Sequence, residues 1–149
     1  KYLPKEDVVL DIYGKGPDLN SIEQAISENS LQNKVKLKGV DKDIANKLSN
    51  YDGLIIASTH DAFPNVLIEA MNAGVVPIST KVGDCEWLLG ENRGIFINGF
   101  DPESISLSIK KFHEMDLNKK NEIINNGRNF INQNLSEEKI LKDWLEILF

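Results

Sequence analysis

Hydrophobic positions along the chain alternate between two rhythms. Short apolar or alternating runs edged by turn formers predict strands over residues 8–13, 35–38, 53–58, 75–79 and 94–97. Between them apolar residues return at helical spacing. Leu19, Ile22, Ala25 and Ile26 mark a helix over 19–30, and Ile44, Ala45 and Leu48 mark another behind the capping residue Asp41. A third helix enters at Pro64 and stops at Gly74, and a short helical segment lies within 82–90. Pro77 inside an apolar strand implies a strand end or a locally unpaired amide. Past residue 100 the strand rhythm stops. Asp101-Pro-Glu opens a helix carrying Ile105, Ile109 and Phe112, and two further helices are expected over 118–134 and 136–149. The last carries Ile140, Leu141, Trp144, Leu145 and Leu148. The expected fold is α/β: a Rossmann-like parallel sheet with helices on both faces and a helical C-terminal tail.

One stretch stands out, Asp61-Ala-Phe-Pro-Asn-Val-Leu-Ile-Glu69-Ala-Met-Asn-Ala-Gly74. It follows the predicted strand 53–58, so its loop and helix entrance fall at the carboxyl edge of a parallel sheet, where ligands bind. Helical geometry stacks Val66, Ala70 and Ala73 as a small-residue stripe, with Glu69 beside it. Asp61 precedes the helix, near the partial positive charge of its first amides. Two carboxylates so placed can accept hydrogen bonds from vicinal sugar hydroxyls, while the amides in the stretch from Phe63 to Val66, Pro64 having none, can take phosphate oxygens. On the plainer alternative, Asp61 only caps and Glu69 only flanks.

Composition narrows the partners. The 149 residues suit a single domain able to bury roughly 70% of its unfolded surface. The net charge is −6 and the basic residues are scattered, which argues against nucleic acid as the main partner. The single cysteine, Cys85, excludes an internal disulfide and fits a reducing compartment. No apolar run reaches the ~18 residues of a membrane span, so a cytoplasmic setting is expected; membrane association is not legible in the sequence. Cys85 has no basic neighbour, His60 suits loop packing, and no metal-ligand spacing occurs. Trp87, Phe96 and Trp144 are assigned to core or interface.

The central stretch, continued through Gly-Val-Val-Pro77, resembles the donor-site signature of GT-B glycosyltransferases of the retaining family 4 type, glycosyl transferases group 1. Ile12-Tyr-Gly-Lys-Gly-Pro17 is similar to the family's Gly-x-Gly-Pro turn, and Asn33-Lys-Val-Lys-Leu-Lys-Gly39 to its Asn-x-Val-x-Phe-x-Gly strand. Val82-Gly83, with Glu86, resembles its glycine-containing loop. The likeness covers nearly the whole chain. It implies that Asp61 contacts hydroxyls of the transferred sugar and that Glu69 holds the nucleotide ribose. Phe63, Pro64, Asn65, Val66 and Leu67 would present loop and helix-start amides to the sugar and diphosphate. Gly39 and Val40 would lie near the base, and Gly14 and Gly16 would allow close approach of the nucleotide.

The chain departs from the pattern in places. Asp61 replaces the commoner Glu and Ala62 a common Gly, which calls for negative φ at residue 62, and Asp84 stands where many members have a second Gly. The family's first strand and helix, with the Arg and Lys that neutralise the diphosphate, are expected to precede this chain, as is the N-terminal acceptor domain. Lys15 and Lys81 match neither basic residue and are assigned to the solvated surface. The implied function is the donor-binding half of a retaining glycosyltransferase. It would move a sugar from a UDP- or GDP-linked donor to an acceptor hydroxyl with no cofactor, and would be inactive as an isolated domain. A GT-B-like nucleotide-sugar epimerase and a non-catalytic α/β binding module are the alternatives.

Overall fold

The computed structural model describes residues 8–90 and 92–148. The chain forms two compact units, one ending at Ile44 and the other beginning at Ala45. In the first, β1 (Leu10–Tyr13) and β2 (Val35–Gly39) pair in parallel, joined through α1 (Leu19–Glu28). Lys38 reaches from β2 to Asp11 on β1 at 3.6 Å. Of the predicted α1 stripe, Ile22 and Ile26 are half-buried, whereas Leu19 and Ala25 are exposed. A helical turn, α2 (Ile44–Lys47), follows an Asp41 side chain that accepts the Asp43 amide at 2.9 Å, and continues as a 3-10 turn over Leu48–Asn50.

The second unit is a three-stranded parallel sheet in the order β3-β4-β5, with β3 at Gly53–Ile56, β4 at Val76–Thr80 and β5 at Ile95–Ile97. Helices α3 (Asn65–Ala73) and α4 (Cys85–Leu89) alternate with the strands; α5 (Pro102–Glu114), α6 (Leu117–Asn134) and α7 (Glu137–Leu148) follow. Strand alternation divides the core into two layers. Leu54, Ile56 and Phe96 meet Leu67 and Met71 of α3, Cys85, Leu88 and Leu89 of α4, and Ile131 of α6. Ile55, Val76, Ile78, Ile95 and Ile97 face the other way, onto Ile105 and Phe112 of α5 and Ile123 and Ile124 of α6. Helices therefore cover both faces, and α6 is long enough to contribute to both layers. Each fully buried Leu or Ile contributes about 1.5–3 kcal/mol relative to exposure.

Because β4 is central and covered on both sides, all five of its residues are buried, Ser79 and Thr80 included. Pro77 fits there for a local reason. Its carbonyl faces Gly94, and pairing with β5 starts only at Ile78, so the missing N–H removes no ladder bond. The Asp101 carboxylate caps α5, accepting the Ser104 amide at 2.9 Å and its hydroxyl at 2.6 Å. Those hydrogen bonds, the hydroxyl's first, hold its pKa below the usual value. Among the described residues no helix is long and apolar enough to cross a membrane. The apolar residues of α7 remain exposed, Trp144 at 61%.

Candidate functional site

The second unit builds its site where β3 and β4 end. The β3–β4 ladder runs to Ile56 opposite Ser79. One residue further, the Thr80 hydroxyl donates to the Ser58 carbonyl at 2.6 Å and ties the loop after β3 to the end of β4. Gly83 then packs on the same loop. It has φ +49°, and a Cβ built there would lie 2.1 Å from the Asp61 carbonyl oxygen and 2.4 Å from that of Ala62. Its neighbour Asp84 donates its amide to the Ala62 carbonyl at 3.0 Å. Asp84 has φ −83°, so the second glycine of the family pattern is not required here. Among the described residues the non-glycine positive-φ positions are Ser30 and Asn92, which leaves Ala62 at the negative φ expected of it. Thr59, His60, Asp61, Ala62, Val82 and Gly83 line an open cleft of about 550 Å³, with Asp61 half-buried at its wall. His60 Nδ1 lies 3.1 Å from Thr59 Oγ1.

Helix α3 begins beside this loop. Pro64 is its extended N-cap (φ −76°, ψ 94°) and has no side chain to cap with. The Leu67 amide donates to the Pro64 carbonyl at 3.0 Å, and the Leu67 side chain is fully buried, so this residue anchors the helix start from within the core. Among the described residues the amides of Asn65 and Val66 have no protein partner, as expected for the first turn of a helix. Phe63 is 38% exposed. The buried face of α3 runs through Leu67, Ala70 and Met71, one position round from the predicted Val66–Ala70–Ala73 stripe. The reason is side-chain volume: Leu67 and Met71 fill the layer against α4 and α6, leaving Val66 and Ala73 half-buried at the edges. At about 100° per residue this puts Glu69 roughly opposite the buried face rather than beside it. It stays half-buried.

In the first unit the other predicted residues gather at the carboxyl ends of β1 and β2. The Gly14 amide donates to the Gly39 carbonyl at 2.8 Å, and both glycines have positive φ, +135° and +69°. A Cβ at Gly14, Gly16 or Gly39 would meet nothing within 4 Å, so the surface over them is open. Val40 follows, 60% exposed.

Sequence reasoning missed Thr80. Its signal was a pair of hydroxyls, Ser79 and Thr80, closing a strand whose first three residues are apolar. Lys81 is exposed as expected; it pairs with Glu86 at 3.2 Å and lies 4.8 Å from the Phe96 ring centroid. Trp87 packs edge-on against Phe130. Arg93 stacks over the same ring and donates to the Leu88 and Trp87 carbonyls at 2.8 and 2.6 Å, holding the end of α4. Cys85 is fully buried, 3.5 Å from the Ser79 hydroxyl.

Parallel strands with helices on both faces form an α/β fold of the GT-B type, as in the solved glycosyltransferase structures on which it superposes. The chain belongs to the glycosyl transferases group 1 family, whose model matches residues 1–130. It is 23% identical over 143 residues to the lipopolysaccharide core biosynthesis glycosyltransferase LpsD of Rhizobium meliloti (strain 1021), covering 95% of this chain and 41% of that protein. It is 31% identical over 83 residues to N-acetyl-alpha-D-glucosaminyl L-malate synthase of Bacillus anthracis, covering 56% of this chain and 22% of the synthase. Among solved structures, Anabaena Alr3699/HepE in complex with UDP superposes with a TM-score of 0.87 at 23% identity, over 98% of this chain and 42% of that one. The chain thus spans about two fifths of the length of LpsD and of HepE.

Proposed function

We propose that this chain is the donor-binding domain of a retaining glycosyltransferase that uses a nucleoside diphosphate sugar, UDP- or GDP-linked, and an acceptor hydroxyl. One observation carries the reading. The loop bearing Asp61 is clamped by Gly83 and Asp84 at the wall of an open cleft, next to a helix start with two unpartnered amides. A carboxylate fixed there can accept hydrogen bonds from the hydroxyls of the transferred sugar. The amides of Asn65 and Val66, with the α3 dipole, offer the diphosphate hydrogen bonds whose strength grows as the leaving group gains charge. Glu69, directed away from the core, is assigned to the ribose hydroxyls. Gly14, Gly16, Gly39 and Val40, in the first unit, are assigned to the nucleotide. The complexes of HepE with UDP and with UDP-glucose support uracil as the first base to try.

Calorimetric titration of the natural polypeptide carrying this chain with UDP, GDP and ADP tests the reading. One diphosphate should bind best, and Glu69→Ala should weaken it about tenfold, as expected from losing a charge-assisted hydrogen bond. Equal affinity in the variant, or no nucleotide binding at all, would contradict the assignment. Product analysis then separates a glycosylated acceptor from an epimerised donor.

A further inference from the structure

We propose that Thr80 is a positioning residue for the Asp61 carboxylate, acting through the loop that carries it; this rests on Asp61 binding the transferred sugar. The β3–β4 ladder ends at Ile56 and Ser79, and the chain needs only five more residues from Ile56 to reach Asp61. Among the described residues, two hydrogen bonds reach residues 58–63 from outside that segment: Thr80 Oγ1 to the Ser58 carbonyl and the Asp84 amide to the Ala62 carbonyl. They grip the loop on either side of His60 and Asp61. The second joins backbone atoms, so no side chain at residue 84 other than proline would remove its donor. The first depends wholly on one hydroxyl.

That hydroxyl is itself well fixed. Thr80 is 1% exposed, and its carbonyl accepts the Ser79 hydroxyl at 3.0 Å and the Val82 amide at 3.1 Å. Its β-branched side chain has restricted χ1 freedom, so Oγ1 is directed rather than free to swing. A plain structural role, satisfying one carbonyl and nothing more, predicts lost stability alone. A positioning role predicts that discrimination between donor and bare diphosphate suffers, because only the sugar meets Asp61.

The test compares Thr80→Val, which keeps the shape and loses the donor, with Thr80→Ser, which keeps the donor. Both are made in the natural polypeptide carrying this chain. The probes are UDP with UDP-glucose, or GDP with GDP-mannose if the titration above selects guanine. Well below the melting temperature, Thr80→Val should bind the diphosphate within about twofold of wild type while the ratio of sugar-donor to diphosphate affinity falls about tenfold. Thr80→Ser should restore most of that ratio. A Thr80→Val protein with a lower melting temperature and an unchanged ratio overturns the proposal. If Thr80→Val fails to fold, Thr80→Cys, a weaker donor of similar size, carries the same comparison with a smaller expected fall. Asp61→Asn separates the two possible failures. A ratio sensitive to Asp61→Asn but not to Thr80→Val overturns the role of Thr80 alone. A ratio indifferent to Asp61→Asn overturns the sugar-binding reading and the proposal with it.

Discussion

At Gly83 the backbone holds φ +49°, and any Cβ there would fall 2.1 Å from the Asp61 carbonyl oxygen. Backbone cannot yield as the end of a flexible side chain can, so the loop bearing Asp61 must move if this glycine gains a methyl group. The left-handed conformation adds about 1–2 kcal/mol for a residue with a Cβ. Gly83→Ala should therefore lower stability by at least that amount and weaken sugar-donor binding more than diphosphate binding. Thermal unfolding and calorimetry on the same preparation check both parts; an alanine variant with wild-type donor affinity would show that the contact is not restrictive. Asp84, one residue on, makes the contrasting case. It contributes only an amide, at negative φ, so the sequence could replace glycine with aspartate there without loss.

At the scale of elements, the α3–α6 contact fixes the helix that presents the site. Gly127 of α6 is buried against Met71 of α3, where an added Cβ would lie 3.4–3.5 Å from Met71 carbons, within ordinary contact. Alanine fits that space and removes the helix penalty of glycine, so Gly127→Ala should be neutral or stabilise by about 0.5–1 kcal/mol. Gly127→Leu should overpack the seam and cost about 1–3 kcal/mol. Chemical denaturation distinguishes the two; an alanine variant as damaged as the leucine one would mean that the helices are already at closest approach. The same seam explains a misread sequence pattern. Periodicity located α3 and its ends, but it could not choose between the Val66–Ala70–Ala73 and Leu67–Ala70–Met71 faces, which differ by about one position round the helix. The choice is made by α6, whose small residue admits Met71, and that partner lies more than fifty positions away in the chain. The orientation of Glu69 was hidden for the same reason.

At the scale of the molecule, the strand–helix alternation was legible because each strand is a short apolar or alternating run between turn formers, and the shift near residue 100 marked the helical end. The division at Ile44 was not legible. It follows from where tertiary contacts fall, and no proline- or glycine-rich linker marks it. Nor could periodicity expose the Thr80 brace, because Ser79 and Thr80 close β4 as adjacent hydroxyls and no pattern tells which of them reaches the neighbouring loop. The chain spans 41% of the lipopolysaccharide glycosyltransferase relative and 42% of the HepE chain, whereas sugar transfer needs donor and acceptor held together. Correct mutual orientation of two reactants is worth effective molarities of about 10⁵–10⁸ M. A domain that holds only the donor forfeits that advantage. The 149 residues expressed alone should therefore transfer sugar at least about a thousandfold more slowly than the natural polypeptide carrying them, with any residual donor loss going to water. A radiolabelled donor incubated with the natural acceptor measures both products. Glycosylated acceptor formed by the isolated chain at a comparable rate would mean that the acceptor site lies within these residues, and the donor-only reading would have to be given up.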